Sequence, residues 1–363
     1  MPHESDLYVG RDLEGRWRVG QLIGEGGFSV VMQGKDLTSG APVAVKILRI
    51  SAGAEAEEEL AGEIGYLTDL RGCNRVVDIK GHGRDVVVLS GLSPAGSSVD
   101  VPVAVPYLVL ERADGCLAEL LVALDQVSWS ERLNLFRDVV KGVHQMHLKR
   151  IVSRDLKSEN VLLFTEDFTS IAKITDLGRA RRTSDAPRRN SEDYLAGRGD
   201  FRFAPPEVFW RQGVDDDAHW QAVDLFHLGS VLYELVLGHG ITSVVLPNGR
   251  SILQATAALD PATRKAEYAA NIAVLRAQMA LAWEPFASAV PRAVRPQTTA
   301  LLRQLTDPDP MLRLPRSLGQ TVGQGNGLEW LLRRSDIVRR TLANAESEAS
   351  RVARRKDLRR GAA

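Results

Sequence analysis

The sequence predicts an α+β protein in which a small antiparallel sheet precedes a mainly helical region. Three observations carry this. Apolar residues alternate or run in short blocks over residues 17–23, 29–34, 42–50 and 107–111, the pattern of strands. From Gly115 onward they recur at i, i+3 and i+4, over 117–124, 130–149 and 221–237, the pattern of helices buried on one side. With 363 residues, 44% of them hydrophobic, the chain can bury the core that such an arrangement needs.

Composition narrows the partners. Lysine plus arginine number 46 and aspartate plus glutamate 46, so no overall charge attracts nucleic acid or an anionic membrane. Cys73 and Cys116 are too few for a disulfide framework and suit a reducing compartment. No apolar run approaches the roughly 18 residues of a membrane span, and MPHESDLYVG lacks a signal-peptide core. The expectation is a cytoplasmic protein without a membrane span. Arginine outnumbers lysine 37 to 9, and alanine and glycine are plentiful, which suggests a GC-rich, bacterial genome.

Residues 1–15 show no period and read as an N-terminal arm. Between the first two strands lies a glycine turn, Gly24-Glu-Gly26-Gly-Phe-Ser29. Such a turn lets backbone amides approach phosphate oxygens, and it equally forms a plain hairpin. The strand over 42–50 carries a single cation inside an apolar run, so Lys46 either snorkels or holds an anion. An acidic helix follows, with Glu55, Glu57, Glu58, Glu59 and Glu63, mostly a solvated face. Residues 76–88 read as two short strands around Gly81-His-Gly83, and 91–102 as a small-residue loop within an insertion over 84–105. His144 and His147 read as structural, since no third ligand sits at metal-binding spacing.

The stretch IVSRDLKSENVLL, residues 151–163, gathers Asp155, Lys157 and Asn160 in one loop between apolar flanks. Residues 171–175 form a strand that delivers Asp176. The segment 176–207 is basic and hydroxyl-rich, with Thr183, Ser184, Ser191 and Tyr194 among its arginines. Asp224 is an acid embedded in an apolar helix and requires donors. The region 239–296 holds a loop at Pro247-Asn-Gly249 and a long helix from 261 to about 282; a docking role and an idle insertion fit it equally. A late helix spans 301–313. The tail, 331–363, holds ten basic and four acidic residues; it reads as a solvated helix, with an anionic or protein partner as the other reading.

Five of these stretches, Gly24 to Val31, Val43-Ala-Val-Lys46, Ser153-Arg-Asp-Leu-Lys-Ser-Glu-Asn160, Asp176-Leu-Gly178 and Ala204-Pro-Pro-Glu207, occur in the order found in eukaryotic-type (Hanks-type) Ser/Thr protein kinases, and the chain resembles that family. The resemblance implies a bilobal protein kinase fold. Its sheet-bearing N-lobe would span 16–112, its helical C-lobe 113–328, and a basic helical tail 329–363. It implies transfer of the γ-phosphate of ATP to Ser/Thr hydroxyls of protein substrates with Mg²⁺, or Mn²⁺ in its place. Gly24, Gly26, Ser29, Val31, Ala44 and Leu162 would surround the nucleotide, Glu111 and Ala113 would supply the hinge, and Leu110 would guard the pocket behind. Lys46 would grip the phosphates with Glu63 as its partner, or Glu59 one turn earlier. Asp155 would orient the hydroxyl and Lys157 neutralise the γ-phosphate; Asn160 and Asp176 would hold the metal.

Glu207 would pair with Arg313, and Asp224 would take backbone donors of the catalytic loop. Arg154 beside the base, facing a basic segment, implies ordering by autophosphorylation at Thr183, Ser184 or Ser191, unless Glu192, Asp193 or Asp200 already supplies the counter-charge. Two residues depart from the family pattern: Ser153 stands where histidine is usual, and Asp200 where threonine or serine is. A nucleotide-binding pseudokinase scaffold is the competing reading, though Lys46, Asp155 and Asp176 are all present. A small-molecule kinase of aminoglycoside type is disfavoured by the glycine turn, Lys157 and the Pro-Pro-Glu segment.

Overall fold

Alternation places one face of each early strand in a shared core. The computed structural model describes residues 4–92, 98–167, 169–184, 199–212, 217–315 and 327–360. These divide into two units, the first made of residues 1–114 with 175–180 and the second of 115–174 with 181–363.

The first unit carries β1 (Asp12–Leu13), β2 (Trp17–Glu25), β3 (Ser29–Asp36), β4 (Pro42–Leu48), the helix α1 (Ala54–Asp69), β5 (Ile79–Leu92) and β6 (Ser98–Glu111). The strands form one sheet in the order β1-β2-β3-β4-β6-β5, every pair antiparallel. Val30, Met32, Val43, Val45, Ile47, Val105, Tyr107 and Val109 build its core from alternate positions. On α1, Ala56, Leu60, Glu63 and Leu67 form the buried stripe, so one acid of this acidic helix points inward with the apolar side chains.

Two expectations are corrected here. Residues 79–92 form one continuous strand, paired with 98–110, where two short strands and a loop over 91–102 were expected. Gly81 and Gly83 read as breakers but instead make room: a Cβ would lie 2.9 Å from the Trp17 ring at Gly81 and 2.6 Å from the Tyr107 hydroxyl at Gly83. The N-terminal arm is likewise no loose entry. Tyr8 and Leu13 are buried in the sheet's core, and the Gly10 and Val19 amides bond the carbonyls of Val19 and Arg11 at 2.9 Å each.

The second unit begins with β7 (Gly115–Cys116), α2 (Leu117–Leu121) and α3 (Trp129–Leu148), the last capped by Ser128, whose Oγ accepts from the Glu131 N–H at 3.1 Å. β8 (Ile151–Val152), β9 (Val161–Glu166), β10 (Thr169–Ile174) and β11 (Arg181–Arg182) follow; β9 pairs with β10 and β7, and β8 with β11. Then come α4 (Pro206–Phe209), α5 (Asp217–Leu237), α6 (Ile241–Val245), α7 (Gly249–Ala255), α8 (Pro261–Ala289), α9 (Arg295–Leu305), α10 (Pro310–Arg313) and α11 (Glu329–Arg360). α5 is apolar nearly all round and lies buried among α3, α8, α9 and α10.

The late helix expected over 301–313 is two helices, because Pro308 and Pro310 lack the amide donors that continuation requires. α8 runs on to Ala289 and carries Pro285 inside it. The tail is only partly solvated. Leu331, Ser335, Val338 and Leu342 form a buried stripe at helical spacing, Asp336 pairs with Arg137 of α3 at 2.5 Å, and residues 346–354 are exposed. Among the described residues no helix is long and apolar enough to cross a membrane.

Candidate active site

In the first unit the lone cation of β4 finds two carboxylates. Lys46 Nζ donates to Glu63 Oε2 at 2.8 Å and to Asp176 Oδ1 at 2.9 Å. Glu63 belongs to the buried stripe of α1, and its other oxygen accepts the Leu177 N–H at 3.3 Å, which ties residues 175–180 to the helix. Burial opposes the lysine's charge, yet the Asp176 and Glu63 carboxylates hold its pKa above the ordinary range. Burial also raises the Glu63 carboxyl, and the Lys46 ammonium pulls it back. Asp176 keeps half of its side chain exposed and has φ of 54°, a left-handed conformation that costs a non-glycine residue about 1–2 kcal/mol. The cluster is therefore a held cation beside an accessible, strained carboxylate.

The glycine turn closes through the Gly26 N–H on the Ser29 carbonyl at 2.8 Å. Gly24, Gly26 and Gly27 do not occupy the left-handed region, and a Cβ on Gly27 would meet nothing within 4 Å. Their smallness is thus not demanded by the chain's own packing, as expected of backbone reserved for a ligand. Val31 pairs with Lys46 across β3 and β4, and Ala44 with Leu110 across β4 and β6. Glu111 exchanges backbone and side-chain bonds with Asp78 at 3.0 and 2.9 Å, and Arg112 donates to the Ala113 carbonyl at 3.3 Å. Leu162 lies in the second unit, on β9 opposite Cys116.

There the loop that carries Asp155, Lys157 and Asn160 hangs from Asp224. This fully buried carboxylate accepts the Ser153 and Arg154 N–H groups at 2.9 Å each and the His147 Nε2 at 2.8 Å. Burial would raise its pKa, but the imidazole and the Arg154 amide outweigh burial and hold it low. Those bonds stabilise Arg154 at φ of 66°. Asn160 donates to the Asp155 carbonyl at 2.7 Å, and Lys157 Nζ stands 3.8 Å from both Asp155 Oδ2 and Asp200 Oδ2. Asp200 is also gripped by Arg202, whose Nε lies 3.0 Å from Oδ1 and whose Nη2 reaches Glu159 at 2.9 Å. Burial pushes the Asp200 carboxyl up, and the Arg202 bonds bring it below its ordinary range. Asp200 therefore presents a fixed negative charge to Lys157 where a hydroxyl was the family pattern.

Arg202, Glu159 and His147 were not among the site residues read from the sequence. His147 read as structural, which its bond to the buried Asp224 bears out, and nothing in local spacing marks Arg202. Arg154 and Arg181 each lie 5.1 Å from the buried Trp220 ring. The Thr183 N–H bonds the Arg150 carbonyl at 2.9 Å and Ser184 is exposed, while Ser191, Glu192 and Asp193 lie outside the described residues. Arg313 meets Glu207 in a bidentate pair at 2.7 and 2.7 Å, both side chains fully buried. Asn160 and Asp176 carry the oxygen donors that a hard cation takes.

Residues 17–318 match the family model for the protein kinase domain. The chain is similar to CBL-interacting protein kinase 16 of Oryza sativa subsp. japonica, at 30% identity over 240 residues, covering 65% of this chain and 46% of that protein. It is 28% identical over 232 residues to CBL-interacting protein kinase 1 of the same plant, covering 62% and 44%. It is also 27% identical over 221 residues to Serine/threonine-protein kinase D2 of Rattus norvegicus, covering 60% and 22%. The aligned part spans less than half the length of each of these relatives.

Proposed function

Because the chain belongs to the protein kinase family, we propose that it transfers the γ-phosphate of ATP to serine or threonine hydroxyls of proteins. The observation that carries this reading is Lys46 drawn to Glu63 and Asp176, residues 17 and 130 positions away, in a cluster that pairs a buried cation with an accessible carboxylate. Lys46 would hold nucleotide phosphates, and the glycine turn would offer them backbone amides. Bound Mg²⁺ neutralises phosphate charge, and Asn160 and Asp176 would be the residues that hold it. Asp155 would orient the attacking hydroxyl, fixed by Asn160 at its carbonyl, and Lys157 would stabilise charge on the transferred group. Lys157 two residues after the aspartate favours serine and threonine as acceptors.

Thr183 and Ser184, beside a cluster of arginines, are our candidates for autophosphorylation; Asp200 is already engaged by Lys157 and Arg202. The arginine bias of the composition is our ground for a bacterial source, and the two cysteines, too few for a disulfide framework, are our ground for a cytoplasmic protein. Incubation of the purified chain with γ-labelled ATP, Mg²⁺ and a general protein substrate tests the proposal. Wild type should transfer label, and Asp155→Asn should lower the rate by about 10²- to 10⁴-fold. Nucleotide binding with no label transferred by either would identify a pseudokinase scaffold instead.

A further inference from the structure

The N-terminal arm ends in a charge network that reaches the glycine turn, and none of the roles assigned above uses it. Glu4 accepts the Ile50 N–H at 2.6 Å on one oxygen and the Arg49 Nη1 at 3.4 Å on the other. Arg49 follows β4 directly. Its backbone N–H bonds the Phe28 carbonyl at 2.8 Å, its Nε donates to the Gly26 carbonyl at 3.2 Å, and its Nη2 pairs with Glu25. One residue thus holds the turn at three points, Glu25, Gly26 and Phe28, and the arm holds that residue. The Arg49 side chain is 19% exposed and that of Glu4 21%, so the pair is partly shielded from solvent. The arm is itself anchored, since Tyr8 and Leu13 are buried in the core of the sheet.

We propose that Arg49 is a positioning residue for the glycine turn, and that docking of the arm through Glu4 sets how tightly the chain binds a magnesium nucleotide. The inference rests on the kinase reading for its ligand. In a planar trans peptide the carbonyl and the following N–H point in opposite directions. Pinning the Gly26 carbonyl on Arg49 therefore aims the Gly27 N–H away from the guanidinium, and it removes a rotation that an unheld glycine peptide would retain. Glu4 keeps the guanidinium fork in that orientation. Without it Arg49 would keep its charge and its pair with Glu25 but would lose one of the two carboxylates that hold the fork against the carbonyl.

The test uses the full chain as wild type, Glu4→Gln, Arg49→Met and the double variant, with ATP and Mg²⁺ as the probe. Amide hydrogen exchange is read over residues 24–29, and over 158–163 as an internal reference. Arg49→Met should raise KM for ATP about tenfold with kcat within about twofold, and Glu4→Gln about threefold. The double variant should match Arg49→Met alone, because both act through one chain of contacts. Exchange over 24–29 should quicken in each variant without nucleotide, and 158–163 should not change. Unaltered exchange over 24–29, or effects on KM that multiply in the double variant, would overturn the proposal. If Arg49→Met does not fold, Glu4→Gln decides by the same readings. Should wild type bind no magnesium nucleotide, the kinase reading fails, while exchange still reports whether the arm holds the turn.

Discussion

Two acids on the same helix support the same loop in opposite ways. Asp224, near the start of α5, receives three donors, the His147 ring and the amides of Ser153 and Arg154, and burial does not neutralise it. Glu234, ten positions on, is also buried but is bonded only by Ser158, through its hydroxyl at 2.8 Å and its backbone N–H, and its Oε2 has no hydrogen-bond partner. Burial pushes its pKa up to about 8. Burial alone does not decide whether an interior carboxylate keeps its charge; the number of donors aimed at it does. The charged end holds the backbone at Ser153 and Arg154, and the neutral end leaves a proton-binding group beside Ser158.

The largest expected effect comes from breaking the charged end. Asp224→Ala leaves two backbone donors and an imidazole buried without an acceptor, and should lower unfolding free energy by about 3–5 kcal/mol in urea titrations; a loss below about 1 kcal/mol would equate the two acids. Next comes the pH dependence of the neutral end. Glu234 has its pKa raised from 4.5 to about 8, so the folded state holds its proton more tightly than the unfolded chain. Its stabilising share is complete below about pH 4.5 and is lost as pH rises through about 8. Wild type should therefore lose stability relative to Glu234→Gln between about pH 5 and 8, by no more than about 1.4 kcal/mol per pH unit; parallel curves would show that Glu234 is charged throughout.

Removing the hydroxyl donor, while the Ser158 N–H stays, sharpens the contrast. Ser158→Ala should cost about 0.5–1.5 kcal/mol and move the Glu234 transition to higher pH, read from the same urea titrations repeated across that window. The smallest change is expected at the solvent-exposed network. Arg202 is 59% exposed, so Arg202→Ala should alter stability by less than about 1 kcal/mol and show its effect in KM for the protein substrate. A loss comparable to that of Asp224→Ala would mean that the Asp200–Arg202 pair is structural.

Much of the site was legible for reasons that act locally. A lysine inside an apolar strand either snorkels or holds an anion, so Lys46 was marked as a residue with a role; the family resemblance pointed to Glu63 or Glu59, and the buried Ala56, Leu60, Glu63, Leu67 stripe of the structure turns Glu63 inward. Asp224 announced donors in the same way. The long hairpin was misread because Gly81 and Gly83 look like turn residues until Trp17 and Tyr107 are seen to need their space. The arm was misread because two anchors, Tyr8 and Leu13, are too few to make a period. The Arg202 clamp left no trace, since its partners Asp200 and Glu159 are recognisable only once two separate loops are brought together.

The order of the motifs shared with the protein kinase family, the sheet-then-helix division and the need of each buried charge for a partner were legible in the sequence, because periodicity and desolvation act on short stretches. Which groups answer those needs was decided by the tertiary structure alone. His147 for Asp224, Ser158 for Glu234, Arg49 for Gly26 and Arg202 for Asp200 depend on distances between segments, and whether a buried acid keeps its charge depends on how many donors those distances allow.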